Sequence, residues 1–258
     1  MECFGIQDKV ALITGASSGI GRATALRFAQ ERAKLMLVAR NADALRAVAQ
    51  IAREFGTTAE ICLADLTDEK QIHHCINATI EAFGGIDILV NSAGIIGSGS
   101  IETTSLADWD YMMNINLRSI FLLTQLALPS LIERKGNIVN VSSVTGLRAF
   151  PNVLAYCVSK AGLDQFTRCV ALELAAKGVR VNAVNPGVTF TNLHRNSGMD
   201  EQSYQAFLER SKTTHPLGRI GQPEEIADLI LFLASPRAGW ITGVTYAIDG
   251  GRSQTCAR

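Results

Sequence analysis

The sequence predicts an α/β fold in which one doubly wound parallel sheet carries helices on both faces. Short apolar runs alternate with segments of helical apolar spacing along most of the 258 residues. That alternation is typical of parallel strands joined by right-handed crossover helices. A chain of this length also suffices for two small domains. We interpret residues 1–258 as one domain because no linker, internal repeat or low-complexity segment divides them.

Seven apolar runs are predicted as strands. They cover residues 10–14, 34–39, 58–63, 86–90, 136–143, 179–184 and 244–248. Helices are predicted over residues 22–32, 43–55, 106–128 and 152–176, with two more beginning at Thr67 and Pro223. Residues 188–215 lose the alternation, and we interpret them as an irregular lid over a substrate. Long irregular segments in compact domains are often functional.

Charge and composition disfavour several classes of function. Twenty-four basic and 24 acidic residues give formal neutrality, so the chain lacks the positive field that binds nucleic acids or anionic membranes. It has no signal-peptide pattern and no run of about 18 apolar residues. Six cysteines without a CxxC pair indicate reduced thiols, and the adjacent His73-His74-Cys75 do not form a metal-ligand pattern. We therefore expect a cytoplasmic protein with no membrane, nucleic-acid or metal partner.

A glycine-rich turn follows the first strand. The run Gly15-Ala-Ser-Ser-Gly19-Ile-Gly21 precedes a segment of helical spacing. Such a turn lets the backbone approach a diphosphate and directs a helix N-terminus at its charge. The spacing lacks the Gly-Lys-Ser/Thr of a P-loop and the Gly-x-Ser-x-Gly of a hydrolase elbow. A dinucleotide site is favoured, with a tight turn that binds no ligand as the alternative.

The end of the second strand bears on the choice of cofactor. In dinucleotide folds an acidic residue there binds the ribose 2′-hydroxyl, whereas an arginine suits a 2′-phosphate. Ala39-Arg40 supplies no acid and one guanidinium, which favours NADP(H) over NAD(H). Arg40 could also be a solvated residue at a helix start. Asp65, after the third strand, either accepts from the adenine amino group or caps the helix that Thr67 begins.

Tyr156 and Lys160 are the candidate reacting pair. They are four residues apart in a predicted helix, so their side chains project from one face. A free phenol has a pKa of roughly 10, and a nearby ammonium favours the phenolate needed for acid/base work near neutrality. The alternative is a tyrosine packed beside a solvated lysine. For the neighbouring Cys157, a packing role is favoured over a reactive thiol.

Several motifs occur together and in order. They are Thr14-Gly-x3-Gly-x-Gly21, Asn91-x-Ala-Gly94, Asn116, Ser143, Tyr156-x3-Lys160 and Pro186-Gly187. With this set, residues 8–251 resemble the single-domain short-chain dehydrogenases/reductases. The resemblance implies a Rossmann-type sheet in the strand order 3-2-1-4-5-6-7. It also implies NADP(H)-dependent interconversion of a ketone and a secondary alcohol.

The resemblance also implies roles for individual residues. Tyr156 would be the general acid or base, Lys160 would bind the nicotinamide ribose and lower the tyrosine pKa, and Ser143 would hydrogen-bond the substrate oxygen. Asn116 would hold a water for a proton relay, with Asn114 as the competing residue, and Ser142 competes with Ser143. The implied cofactor residues are Gly15, Ser17, Ser18, Gly19, Ile20, Gly21, Arg40, Asp65, Leu66, Asn91, Ala93, Gly94, Tyr156, Lys160, Pro186, Gly187, Thr189 and Thr191.

Two departures from the family pattern concern the cofactor site. NADP-preferring members often carry a basic residue where this chain has Ser18, so Arg40 would discriminate largely alone. Ser92 stands where the family usually has asparagine, a change that we expect to leave the site intact.

The sequence also leads to expectations about the substrate and the partners. An apolar pocket is expected from Ile95, Ile96, Val144, Leu147, Val153 and lid residues, which suits an apolar or acyl-type carbonyl. One alternative is a 3-oxoacyl-carrier-protein reductase that docks its carrier on Arg134 and Lys177; a non-catalytic dinucleotide sensor or scaffold is another. The family usually pairs its two long helices, which implies a homotetramer or homodimer.

Overall fold

The computed structural model describes residues 4–255. Seven β-strands in this range form one parallel sheet. The strands are β1 Val10–Thr14, β2 Lys34–Ala39, β3 Ala59–Leu63, β4 Ile88–Asn91, β5 Asn137–Val141, β6 Arg180–Pro186 and β7 Thr245–Ile248. Their order in the sheet is β3-β2-β1-β4-β5-β6-β7. The predicted fold class and strand order are therefore confirmed.

Helices cover both faces of the sheet. They are α1 Gly19–Gln30, α2 Ala42–Glu54, α3 Glu69–Phe83, α4 Leu106–Met113, α5 Ser119–Glu133, α6 Val144–Leu147, α7 Leu154–Ala175, α8 Leu193–Asn196, α9 Glu201–Thr214 and α10 Pro223–Ala234. On β1, Ala11 and Ile13 enter the core beneath α1, α2 and α10, whereas Leu12 enters the core beneath α3, α5 and α7. Successive strand residues point to opposite faces, so a strand buried on both faces must be apolar throughout.

The predicted helix 106–128 is interrupted. A π-helical turn, Asn114–Arg118, separates α4 from α5, which continues past Pro129 to Glu133. Asn116 in this turn hydrogen-bonds the backbone of Ile95, a contact that comes from another segment of the chain. Turns of this kind occur frequently at functional sites.

Taken together, α4, the π turn and α5 form a 28-residue helical stretch, Leu106–Glu133. This stretch is long and apolar enough to cross a membrane, and 50% of its most apolar window is buried inside the protein. The core helix of a globular protein meets the same criteria, so length and composition are weak evidence here. The predicted absence of a membrane partner stays a prediction.

The lid differs from the irregular segment that we expected. Residues 188–215 contain α8 and α9, and Asp200 caps α9 by accepting a hydrogen bond from Ser203 N at 2.9 Å. Tyr204, Leu208 and Ser211 are buried at helical spacing along one face of α9. The segment therefore consists largely of an amphipathic helix with a short apolar face.

The four cysteines within residues 4–255 are free thiols. Cys62 on β3 and Cys75 on α3 lie in the core with their Sγ atoms 3.0 Å apart. Cys3 and Cys256, which the sequence also predicts to be reduced, lie outside the described residues.

Candidate active site

The carboxyl ends of the strands open on a cleft of about 1150 Å³. Parallel α/β sheets bind ligands at this edge. The cleft is lined by the predicted residues Gly15, Ser17, Ser18, Gly19, Ile20, Gly21, Arg40, Asp65, Leu66, Ala93, Gly94, Ser143, Tyr156, Lys160, Pro186, Gly187, Thr189 and Thr191. Two predicted residues, Asn91 and Asn116, are buried behind this lining.

The glycine turn is shaped as a diphosphate site requires. Gly15 has a φ of +67°, which favours glycine, and a Cβ added at Gly21 would lie 2.3 Å from the Gly15 carbonyl oxygen. Ser18 is the N-cap of α1, yet within residues 4–255 its side chain makes no capping hydrogen bond. The first amides of α1 are therefore left for another acceptor, and a phosphate suits them by charge. The turn fits a dinucleotide.

The loop after β4 is fixed to β1 by a buried threonine. Thr14 Oγ1 accepts hydrogen bonds from Ser92 N at 3.0 Å and Ala93 N at 3.1 Å. The Asn91 side chain turns away from the cleft and donates to Asn140 Oδ1 at 2.9 Å. Ser92 lines the cleft beside Ala93 and Gly94. The Asn91 side chain thus joins β4 to β5, and its place among the cofactor residues stays a prediction.

Arg40 and Asp65 line the cleft just after β2 and β3, where the sequence predicts the adenosine end of the cofactor. Arg40 Nη1 is 3.8 Å from Asp65 Oδ2, and the two side chains are 63% and 37% exposed. Asp65 Oδ1 accepts from Thr67 N at 2.9 Å and Thr67 Oγ1 at 2.8 Å. The backbone hydrogen bond from Thr67, more than the charge of Arg40, keeps the Asp65 pKa below its ordinary value against the opposing effect of burial.

The alternative role for Asp65 as a helix cap is wrong. Helix α3 begins at Glu69 instead of Thr67, and Asp68 caps it by accepting from Lys70 N at 2.8 Å. The Asp65 carboxylate instead closes a turn that precedes the helix. Its second oxygen, Oδ2, faces Arg40.

Tyr156, Ser143 and Lys160 are buried together at the other end of the cleft. Ser143 is close enough to lower the pKa of the Tyr156 phenol, and Ser143 Oγ accepts from Thr145 N at 3.1 Å. Lys160 Nζ donates to the Val141 carbonyl at 2.8 Å and lies 5.8 Å from the Tyr156 ring centroid. The strand end of β5 thus positions a serine beside the phenol and a carbonyl beneath the ammonium.

The pKa of Tyr156 differs from our expectation that Lys160 lowers it. Burial raises the pKa of Tyr156 to about 12, and the neighbouring Ser143 side chain opposes this only in part. Burial also lowers the pKa of Lys160 to about 8, against the attraction of Asp164. Both directions have one cause, since a buried site disfavours the charged form of either group. The phenol is therefore protonated at neutral pH.

Asn116 lies next to Lys160. Its Nδ2 donates to Ile95 O at 2.9 Å and Ser159 Oγ at 3.1 Å. A Cβ added at Gly94 would lie 3.3 Å from Asn116 Oδ1 and 3.5 Å from Lys160 Nζ, so both side chains adjoin this glycine. Asn114, which competes with Asn116 for the relay role, takes part in none of these hydrogen bonds within residues 4–255.

The Ser142 side chain, the alternative to Ser143, has different hydrogen-bond partners. Its Oγ donates to the Lys160 carbonyl oxygen at 3.2 Å and is close enough to lower the pKa of Asp164. Asp164 is buried one turn after Lys160, and its Oδ2 accepts from Asn185 Nδ2 at 2.8 Å. Burial raises the pKa of Asp164. We did not expect this polar support beneath the site, because an aspartate within a helix gives no sequence signal of burial.

Most of the expected substrate pocket is present. Ile95, Ile96, Val144 and Val153 line the cleft, whereas Leu147 is 39% exposed and lies outside the lining. From the lid, Leu193, His194 and Phe207 reach the cleft; Phe190, Met199 and Tyr204 are not among its lining residues.

Other lining residues carry no motif that could have identified them. They are Arg148, Phe150, Arg210, His215 and Arg252. Within residues 4–255, no group of three or more histidine, cysteine or acidic side chains could hold a metal ion.

The sheet order and the glycine turn define a Rossmann-type dinucleotide-binding fold, and comparison with known proteins specifies it further. A family model described as enoyl-(acyl carrier protein) reductase matches residues 15–253. A 3-oxoacyl-[acyl-carrier-protein] reductase of Thermotoga maritima is 40% identical, covering 95% of this chain and 98% of the relative. The chain belongs to the short-chain dehydrogenase/reductase family and is thus an oxidoreductase acting on alcohol or ketone groups.

Solved structures support this assignment. A short-chain dehydrogenase/reductase of Caenorhabditis elegans, crystallised with cofactor, superposes with a TM-score of 0.92 at 37% identity, covering 98% of this chain and 97% of the other. An L-sorbose reductase of Gluconobacter frateurii, in complex with NADPH and L-sorbose, has a TM-score of 0.92 at 31% identity, covering 99% of this chain and 100% of the other.

Proposed function

We propose that this protein is an NADP(H)-dependent carbonyl reductase, reversible as an alcohol dehydrogenase, that acts on apolar or acyl-type carbonyls. One observation supports it above all: the buried side chains of Ser143, Tyr156 and Lys160 line the same cleft as the glycine turn. A protein that only bound the dinucleotide would have no need of a buried proton donor set at the far end of that cleft.

The bound cofactor supplies or accepts the hydride, and the proton chemistry belongs to the chain. During reduction, negative charge develops on the carbonyl oxygen of the substrate. The Ser143 and Tyr156 hydroxyls would donate to that oxygen, and Tyr156 would transfer its proton. The pKa of Tyr156, which burial raises to about 12, keeps the phenol protonated and ready to donate at neutral pH.

Lys160 and Asn116 would support the reacting tyrosine. The ammonium of Lys160 lies on the same helical face as the phenol and stabilises the phenolate that remains after proton transfer. Asn116 adjoins Lys160 at Gly94, which suits the proton relay implied by the family resemblance. In oxidation the same groups would act in reverse, with Tyr156 taking the proton of the alcohol.

Arg40 supports the choice of NADP(H). It lies at the cleft where the second strand ends, mostly exposed, with its guanidinium available to a 2′-phosphate. The L-sorbose reductase structure contains NADPH, which agrees with this choice. NAD(H) is the alternative, since Asp65 places a carboxylate close to Arg40.

Reduction of a 3-oxoacyl group on a carrier protein is the second candidate. The Thermotoga maritima relative carries this name. Of the two basic residues expected to dock a carrier, Arg134 is largely used within the fold, because it pairs with Asp87 at 3.2 Å and donates to the Gly84 carbonyl at 2.7 Å. Comparing an acetoacetyl group on carrier protein with the same group on a small thiol separates the candidates; a marked preference for the carrier would favour the second.

The experiment for the main proposal is an oxidation assay. Purified protein is mixed with NADPH or NADH and an acetoacetyl thioester, a dicarbonyl or a steroid ketone, and the nicotinamide absorbance is followed. We expect NADPH to be oxidised much faster than NADH by at least one carbonyl. Binding of both cofactors without turnover of any carbonyl would favour the dinucleotide sensor instead.

Assembly is part of the proposal. Helices α5 and α7 present apolar side chains to solvent, among them Phe121 at 50% and Leu172 at 81% exposure. Phe121 and Phe166 meet edge to face with ring centroids 6.5 Å apart. Pairing these helices between subunits would cover such groups in a homotetramer or homodimer. A monomeric mass in solution at micromolar concentration would refute this. The cytoplasmic location likewise stays a prediction.

A further inference from the structure

Three arginines converge on the substrate end of the cleft from separate parts of the chain. Arg148 follows α6, Arg210 lies on α9, and Arg252 lies in the 3-10 turn after β7, Arg252–Gln254. Among the described residues that line the cleft, Asp65 is the only carboxylate, and it lies at the adenosine end. The substrate end is therefore strongly positive although the whole chain is formally neutral.

Neutral partners hold two of the guanidinium groups in place. Arg148 Nη1 donates to the Ser253 carbonyl at 3.0 Å and also to the Thr255 carbonyl. Arg252 Nη1 donates to the Thr214 carbonyl at 3.2 Å, and its guanidinium lies 5.2 Å from the Phe150 ring centroid. These bonds orient the charges without neutralising them. Within residues 4–255, none of the three arginines forms an ion pair with a carboxylate.

The charges of Arg148 and Arg210 act on Arg252. After burial, the largest influences on Arg252 are repulsion from Arg148 and then from Arg210, and together they lower its pKa. The carboxylate of Asp249, which opposes this repulsion, is already engaged by Ser253 N at 2.6 Å and Gly251 N at 3.0 Å. Folding thus brings three like charges together at a cost, which an anion in the cleft would offset.

We propose that the substrate carries an anionic oxygen group, a carboxylate or a phosphate, which Arg148, Arg210 and Arg252 bind beyond the apolar part of the pocket. Guanidinium groups match the planar geometry of carboxylates and phosphates. This inference rests on the proposed function, since it names the class of carbonyl compound that the reductase would accept. The shared chemistry has two sources: the carboxylate of a free oxo acid, or the phosphates of a coenzyme-linked acyl thioester.

The test compares each charged substrate with a neutral counterpart that carries the same carbonyl group. One pair is a 3-oxo acid and its methyl ester; the other is acetoacetyl-coenzyme A and the acetoacetyl thioester of N-acetylcysteamine. The proposal predicts that kcat/KM for the anionic member of at least one pair exceeds that of the neutral member by tenfold or more, and the pair concerned identifies the source. In Arg210→Gln this ratio should fall about tenfold, which corresponds to about 1.4 kcal/mol.

Lys212→Gln provides the matched control. Lys212 lies two residues further along α9, pairs with Glu209 at 2.6 Å and does not line the cleft, so its removal should leave the ratio unchanged. Arg148→Gln is the second variant and should also lower the ratio.

A binding measurement separates this inference from the proposed function. Thermal protection by each charged or neutral ligand, with NADP+ present, requires no turnover. If the neutral ester is reduced but neither turnover nor protection distinguishes anionic from neutral ligands, the reductase function is supported and the proposed arginine site is wrong. If nothing is reduced yet anions protect the wild type more than Arg210→Gln, the site stands and the reductase is wrong. Equal protection by charged and neutral ligands overturns the site in either case.

Discussion

Replacement of Arg40 by glutamine tests how the protein selects its cofactor. Arg40 is 63% exposed, and its ion pair with Asp65 spans 3.8 Å. An exposed pair of this kind contributes roughly 0–1 kcal/mol to stability, so Arg40→Gln should leave the unfolding temperature almost unchanged. Any large effect of the variant would then reflect ligand binding.

The magnitude follows from the bond that Arg40 would make. A hydrogen bond to a charged group contributes about 1.5–3 kcal/mol. Because solvent screens this exposed side chain, the expected contribution is smaller, about 1–2 kcal/mol, which corresponds to roughly 5- to 30-fold in affinity. The KM for NADPH should therefore rise by that factor in Arg40→Gln, whereas the KM for NADH should stay the same.

The assay is steady-state kinetics with each cofactor at a saturating carbonyl concentration. Arg46→Gln is the matched control: Arg46 is also 63% exposed, lies on the neighbouring α2 and pairs with Asp43 at 2.8 Å outside the cleft. An unchanged ratio of the two KM values in Arg40→Gln would refute the role of Arg40 and leave NADP selection without a residue to explain it.

Two further predictions concern the glycine turn and the reacting groups. Gly21→Ala would place a Cβ 2.3 Å from the Gly15 carbonyl oxygen, so the turn must shift. We expect weaker binding of both cofactors and a loss of about 1–3 kcal/mol of stability. Unchanged cofactor dissociation constants would contradict this prediction. Because the pKa of Lys160 is about 8 and that of Tyr156 about 12, kcat/KM for reduction should fall as pH rises through 8, where the ammonium loses its proton while the phenol keeps its own. A profile that stays flat from pH 6 to pH 10 would show that Lys160 does not titrate in the reacting site.

Local patterns in the sequence predicted the sheet well, because parallel strands covered on both faces must be apolar. In this chain, turn residues separate the apolar runs from the segments that follow them. The strands and the glycine turn depend on neighbours within a few positions. The π turn depends instead on the bonds between Asn116 and the backbone of Ile95, which lies in another segment. Helix α9 was missed because only Tyr204, Leu208 and Ser211 form its buried face.

The candidate site shows the same limit. The spacing of Tyr156 and Lys160 indicated that they share a helical face, but not how deeply both are buried, and burial determines their pKa values. Arg148, Arg210 and Arg252 approach one another only through the fold, so no motif connects them. The pKa values of Tyr156 and Lys160 and the charge of the substrate could be inferred only from the three-dimensional arrangement of these residues.

Tyr156→Phe tests the central claim, that the Tyr156 hydroxyl transfers the proton during carbonyl reduction. The variant removes one oxygen, and Ser143 keeps its hydrogen bond from Thr145 N, so the fold and the cofactor cleft should persist. Turnover of the best carbonyl substrate and the dissociation constant of NADPH are measured on the same preparation. We predict that kcat falls on the order of 10²- to 10⁴-fold while NADPH binds as in the wild type; turnover that survives the substitution would contradict the account.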